Sequence, residues 1–305
     1  AVTTGVQNTI IGALAGDALT TGSEHVVLGY GALTDATTAT GNVAIGHEAS
    51  ANITTGSNNV SLGKLALYTL TTGGQNVSIG SQALRLLTSG SNNVGVGHTA
   101  GKAFTTGHSN VAVGFESLLT EDTGRKNVAV GFETLKVQNS DADNFNTAVG
   151  YQAGLSVTTG TLNTLIGGLA GDAITTGASN VAVGYLALSD TTTGADNTAV
   201  GELALANNTT GFRNVALGSS ALSTKTTGND NVAIGTSSLY ATTTASNNIA
   251  VGTGALEANT TGTSNVAVGH RTLDANTTAS NNTAVGYQAL TANTTGDTNV
   301  AIGKD

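Results

Sequence analysis

The sequence predicts an all-β chain, a single parallel β-solenoid of about eighteen coils of 17 residues. Three observations predict it: a five-residue motif that recurs every 17 residues, β-branched residues two apart within the motif, and a glycine that closes every copy. The motif, Asn-(Val/Thr)-Ala-(Val/Ile)-Gly with variations, starts at Asn8, has His25 in place of Asn, and continues at Asn42, Asn59, Asn76, Asn93, Asn110 and Asn127 in steps of 17. One step of 19 leads to Asn146. Steps of 17 then run through Asn163, Asn180, Asn197, Asn214, Asn231, Asn248, Asn265, Asn282 and Asn299. The consensus coil is N-V-A-V-G-Y-x-A-L-x-A-N-T-T-G-x-N, numbered here as positions 1 to 17. Residues 1–305 thus read as one repeat domain, with a two-residue insertion in the coil between 127 and 146.

Within the coil, position 2 is Val, Thr or Ile and position 4 is Val, Ile or Leu in all eighteen copies. Branched residues two apart define a strand with one buried face, so positions 2 and 4, Val111 and Val113 for example, are expected to line the interior. Position 3, Ala in twelve copies, is then the outer face, where small side chains let a second backbone approach. Position 5 is Gly throughout (Gly12, Gly114, Gly303), as a corner with positive φ or no room for Cβ requires.

A compensating pattern in the second half of the coil supports a shared core. Position 9 is usually Leu (Leu33, Leu67, Leu205, Leu290) but is small at Gly16, Ser50, Gly101, Gly154 and Gly171. In those coils position 12 is Leu19, Ile53, Phe104, Val157 or Ile174, whereas coils with Leu at position 9 mostly carry a polar residue there, such as Thr191, Asn208, Lys225 or Asn293. Emptying a packed slot costs about 2–5 kcal/mol, so two positions that alternate in size are expected to fill one space. Leu70 and Leu87 depart from the pattern, since Leu67 and Leu84 are also present.

Stacking supplies what a single coil lacks. Coils piled at roughly 4.8 Å pair their backbones and align identical side chains. The position-1 residues Asn8, Asn42, Asn59, Asn76, Asn93, Asn110 and Asn127 are expected to form an amide ladder, with His25 as an interruption. Ala1 falls at coil position 11 and Asp305 at position 7, without capping sequence, and this predicts a fragment of a longer fibre protein.

Composition argues in the same direction. The chain has 42 Gly, no Pro, Cys, Met or Trp, and 10% charged residues, far from the usual globular enzyme. It lacks an apolar run of about twenty residues, which predicts no membrane insertion. A net charge of −9 with ten scattered Lys and Arg predicts no nucleic-acid partner.

Strings such as Ser109–Gly114 (SNVAVG) and Asn58–Gly63 (NNVSLG) resemble the head repeats of trimeric autotransporter adhesins. The unit from Asn282 to Asn299 (NTAVGYQALTANTTGDTN) is similar to repeats of bacteriophage tail fibres, and the resemblance spans the whole chain. It implies a left-handed β-roll, a homotrimeric fibre, and attachment to a host or surface. The partners implied are copies of the chain itself, a host surface glycan or protein receptor, and other fibre or virion proteins, with a location on the virion or the cell surface. The 17-residue coil differs from the shorter adhesin coil, so trimer geometry transfers less directly than the strand motif.

No catalytic constellation is read from the sequence, and no cofactor. The histidines His25, His47, His98, His108 and His270 are spread over distant coils, and Ser, His and Asp do not recur in a nucleophile arrangement. The pairs Gly73-Gly74 and Gly167-Gly168 lie at turns and do not open helices. Position 6 is aromatic or His in nine coils: Tyr30, His47, His98, Phe115, Phe132, Tyr151, Tyr185, His270 and Tyr287. These rings are candidates for a glycan surface or for cover over a turn or intersubunit groove. The insertion NSDADNF, from Asn139 to Phe145, offers Asp141, Asp143 and Phe145 as a local contact, with alternate Asp spacing also compatible with a cation and a solvated bulge as the plainer alternative.

The function expected is a phage tail-fibre segment serving as rigid spacer and host-attachment surface. A bacterial cell-surface trimeric adhesin is the alternative within that class. An ice-binding solenoid is the alternative outside it, suggested by the Thr pair at positions 13 and 14 (Thr54-Thr55, Thr209-Thr210, Thr294-Thr295). Adjacent residues of a strand point to opposite faces, which argues against a paired Thr array. A carbohydrate lyase or hydrolase would need an acidic cleft that thin, regular coils do not offer.

Overall fold

A computed structural model describes residues 2–224 and 227–304. Ala1, Lys225, Thr226 and Asp305, and with them the position-12 assignment at Lys225 and the terminal positions of Ala1 and Asp305, lie outside the described residues. The chain forms two compact units, 1–152 and 153–305. Both are all-β parallel solenoids with a 17-residue coil.

In the first unit the strands are β1 (Thr9–Ile11), β2 (Val26–Leu28), β3 (Val43–Ile45), β4 (Val60–Leu62), β5 (Val77–Ile79), β6 (Val94–Val96), β7 (Val111–Val113), β8 (Val128–Val130) and β9 (Thr147–Val149). Each pairs in parallel with the next, like residue on like residue: Val94 on Val111, Val111 on Val128, and Val128 on Thr147 across the longer step. The second unit repeats this in β10 (Thr164–Ile166), β11 (Val181–Val183), β12 (Thr198–Val200), β13 (Val215–Leu217), β14 (Val232–Ile234), β15 (Ile249–Val251), β16 (Val266–Val268), β17 (Thr283–Val285) and β18 (Val300–Ile302). There Ala182 opposes Ala199, and Ala199 opposes Ala216.

Each strand is three residues long because position 5 turns the chain. Gly114 has φ +133, and an added Cβ would stand 2.0 Å from the carbonyl oxygen of Gly131 in the next coil. Positions 7, 9 and 17 then adopt left-handed conformations, including non-glycine residues such as Leu33 (φ 50), Leu67 (φ 50) and Ser109 (φ 60). A left-handed residue costs roughly 1–2 kcal/mol. Burying a leucine side chain returns about 1.5–3 kcal/mol, and Leu33 and Leu67 are fully buried. The corner is thus stabilised by what it points inward. Backbone pairing continues beyond the strands: Leu67 donates its N–H to the carbonyl of Ala83 (3.1 Å) and Thr71 to that of Thr88 (2.8 Å).

The two faces of the strand are reversed relative to the sequence expectation. Position 3 is the inner face: Ala44, Ala112, Ala129, Ala182 and Ala250 have no solvent exposure. Positions 2 and 4 are the outer face, with Val111 and Val113 half-buried and Val26, Leu28 and Ile249 exposed at 43%, 45% and 41%. The physical reason is the width of the coil. Position 9 reaches across to the strand, and a Cβ at Gly95 would lie 2.6 Å from Leu84 Cγ. Position 3 is mostly alanine, and its larger residues Ile10 and Leu165 lie against Gly16 and Gly171.

Positions 9 and 12 both point into the interior, and they meet where position 9 is Gly101 or Gly171. Leu19, Ile53, Phe104, Val157 and Ile174 are fully buried, as are Leu33, Leu67 and Leu205. A Cβ at Gly171 would sit 2.8 Å from both Ile174 Cδ1 and Leu165 Cδ2. Leu70 and Leu87 also find their place. Each points its Cδ1 at the position-15 glycine of its own coil, where a Cβ would come within 2.8 Å at Gly73 and 2.6 Å at Gly90. Leu84 leans into the space that Gly95 and Gly101 leave open in the following coil.

Candidate functional site

Three surfaces carry chemistry: the asparagine ladder inside, the position-6 rings outside, and the insertion. In the ladder of each unit, an Asn Oδ1 accepts the backbone N–H of the position-1 residue in the next coil. Asn110 N–H reaches Asn93 Oδ1 at 3.0 Å, and Asn127 N–H reaches Asn110 Oδ1 at 3.0 Å. Most of the side-chain amides also donate within their own coil, as Asn110 Nδ2 does to the Gly124 carbonyl at 2.9 Å. Position 15 is therefore small because the rung amide sits against it.

His25 does not interrupt this ladder. Its backbone N–H donates to Asn8 Oδ1 (3.0 Å), its Nδ1 accepts the N–H of Asn42 (3.1 Å), and its Nε2 meets the Ala39 carbonyl at 2.8 Å. The two ring nitrogens take the places of an asparagine's oxygen and nitrogen. A second amide ladder, unforeseen in the sequence, runs at position 12 of the second unit. There Asn276 Nδ2 donates to Asn259 Oδ1 (2.9 Å) and Asn293 Nδ2 to Asn276 Oδ1 (3.3 Å). Polar residues at position 12 are thus interior: Thr191, Asn208, Asn259 and Asn276 have no exposure.

The position-6 rings stack on one another. In the first unit His98, Phe115, Phe132 and Tyr151 form a file with centroids 5.6, 5.2 and 5.5 Å apart, and Tyr30 lies 5.4 Å from His47. In the second unit His270 stacks on Tyr287 at 5.4 Å, and Tyr185 lies over Gly168. The inner rings cover each other's faces and present their edges to water. Beside the file stands a polar row, with Glu116, Glu133 and Gln152 at position 7 and Lys136 at position 10. Lys136 Nζ is 2.7 Å from both Glu116 Oε2 and Glu133 Oε1, and Gln152 Nε2 donates to Glu133 Oε2 at 2.7 Å. The hydrogen bond from Lys136 holds Glu133 below its usual range, and Glu116 in turn raises Lys136.

The insertion is tied down from both sides. Asp141 accepts from Thr123 Oγ1 (2.6 Å), Asp143 pairs with Lys126 (2.7 Å) and stands 3.7 Å from Arg125, and Lys126 lies 4.8 Å above the ring of exposed Phe145. Lys126 holds the Asp143 carboxyl low. Among the described residues no group of three or more His, Asp or Glu is set to hold a metal ion.

Beneath the insertion lies a buried carboxylate that sequence reading missed. Glu121 occupies the position-12 slot and accepts from Gly124 N (2.8 Å), Gln138 Nε2 (2.8 Å), Ser140 N (3.3 Å) and Asn144 Nδ2 (3.2 Å). Burial pushes its pKa up against those donors. An acidic residue at a position that carries no other carboxylate, one coil before the only change of step, was the available signal.

The Thr pair lies in a bend and not in a strand, so its two members do not alternate between inside and outside. Position-13 hydroxyls donate to the next coil's carbonyl, as Thr54 does to Thr71 (3.2 Å) and Thr71 to Thr88 (2.9 Å). Position 14 is exposed, as at Thr55, Thr72, Thr193 and Thr210. Among the described residues no helix is long and apolar enough to cross a membrane. Comparison with protein-family models, with curated proteins and with solved structures finds no match to this chain.

Proposed function

We propose that this chain is a structural fibre module, a segment of a phage tail fibre that serves as rigid spacer and host-attachment surface and assembles as a homotrimer. The observation that carries the proposal is the outward face of the strands. Positions 2 and 4 set two ranks of Val, Thr, Ile and Leu side by side on each unit, regular from coil to coil. Apolar ranks of this regularity favour an occupant with the same spacing, and a copy of the chain has it. Closed association removes the ranks from water and leaves no half-covered face to grow a filament. Three copies is the number implied by the resemblance to tail-fibre and adhesin repeats.

The position-6 file and its polar row supply the attachment surface. Ring edges at Phe115, Phe132 and Tyr151 next to Glu116, Lys136, Glu133 and Gln152 offer apolar area and hydrogen-bonding groups together, as a glycan or protein receptor requires. A structural role without catalysis fits groups that are engaged in holding the fold.

Sedimentation equilibrium of the purified 29.9 kDa chain tests the assembly. Three times the chain mass is expected, and a monomer at micromolar concentration overturns the homotrimer. Glycan-array binding that is lost on Phe132→Ala tests the attachment surface. Array binding unchanged by that substitution removes the surface from the proposal.

A further inference from the structure

The ladder contains one rung that is not an amide, and its hydrogen bonds dictate a protonation state. His25 is fully buried. A backbone N–H can only donate, so Nδ1, which receives the N–H of Asn42, carries no proton. A carbonyl can only accept, so Nε2, which faces Ala39 O, carries one. The rung is satisfied by the neutral Nε2–H tautomer alone. The cation would set an N–H on Nδ1 against the N–H of Asn42.

We infer that His25 makes the junction between the second and third coils an acid-labile joint: protonation removes the acceptor that holds Asn42 and frees the two coils on its N-terminal side. No charge compensates the cation. From the preceding coil the ring meets Asn8 and from the following coil Asn42, both uncharged. The titratable groups of the three coils, Asp17, Glu24, Tyr30, Asp35, His47 and Glu48, lie on the outer surface. Burial lowers the ring's pKa below 6.5. The unfolded coils therefore bind a proton that the folded coils refuse. Stability from this rung is complete above pH 6.5 and is lost as pH falls toward the folded value. Asparagine at the other rungs does not titrate, so the sensitivity is confined to this joint.

Hydrogen exchange measured by mass spectrometry on the purified chain at pH 7.5 and 5.5, corrected for intrinsic rates, tests the inference. Protection at Val26–Leu28 and Asn42 should fall as pH drops below 6.5, by at most about tenfold per pH unit down to the folded value, one proton being linked to opening. Protection at Val77–Ile79 serves as the internal reference and should hold. His25→Asn restores the common rung and should abolish the loss. Asn110→His should create a second acid-labile joint at Val111–Val113. Equal protection at both pH values, or the same loss in His25→Asn, overturns the inference, as does a nitrogen NMR signature of the imidazolium at pH 7.5.

Discussion

An added Cβ at Gly101 would stand 2.8 Å from the ring of Phe104 and 2.7 Å from Leu84 Cδ2. The two positions share one volume, and exchanging their sizes should therefore be easier than changing either alone. Gly101→Leu should destabilise by about 1–3 kcal/mol through overpacking, and Phe104→Asn by about 3–5 kcal/mol through the void it leaves. The double variant should cost less than the sum by at least about 1 kcal/mol. Urea unfolding of the four proteins checks this, and additive costs would show that the slots are separate.

Removing a rung should cost more than removing a surface amide. Asn110→Ala leaves the N–H of Asn127 and the carbonyl of Gly124 buried without their partners. Each unsatisfied group costs about 1–3 kcal/mol. Loss of roughly 2–5 kcal/mol in urea unfolding is expected, against less than about 0.5 kcal/mol for exposed Asn139→Ala.

Asp172 should set a pH dependence of its own in the second unit. Burial raises its carboxyl to about 6, Asp190 adds to the effect, and Oδ1 has no hydrogen-bond partner. For an acid whose folded pKa lies above its unfolded value of 3.8, the folded state binds the extra proton. Stability is then greatest below 3.8 and is lost as pH rises through about 6. Asp172→Asn should raise the melting temperature at pH 7.5 and leave it nearly unchanged at pH 3.5.

Glu121 should govern the order of the insertion. Glu121→Ala leaves Gly124 N, Gln138 Nε2, Ser140 N and Asn144 Nδ2 without their acceptor. Limited proteolysis should then cut within residues 138–145 at least tenfold faster, the cost of one or more lost buried bonds at about 1.4 kcal/mol per decade. The rest of the chain should stay resistant.

The period of the solenoid was legible from Asn8 to Asn299 because one residue type must recur wherever a side chain replaces a backbone contact. The exchange between Gly101 and Phe104 was legible because volume is conserved. The facing of the strand was not. Val111 and Val113, expected inside, face outward, and coil pairing and the Asn rungs hold the solenoid. Branched residues favour a pleated surface on either side, so their spacing alone does not say which side is dry. A finer signal was present. Ile10 and Leu165, the largest residues at position 3 beside Val27, occur in coils where position 9 is Gly16 and Gly171. The structure places Ile10 Cδ1 3.1 Å from a Cβ at Gly16. The mimicry of asparagine by His25 was hidden for another reason. It depends on two ring nitrogens meeting one N–H and one carbonyl from different coils, a match visible only in three dimensions.

The outward face of β7 is tested most directly by single cysteines in a chain that has none of its own. A homobifunctional maleimide is applied to Val113→Cys and to Ala112→Cys under native conditions, and the products are separated on a denaturing gel. Covalently linked dimers and trimers from Val113→Cys, with Ala112→Cys left as unreacted monomer, is the expected result. Crosslinking through Ala112→Cys, or monomer alone from both, would contradict the account.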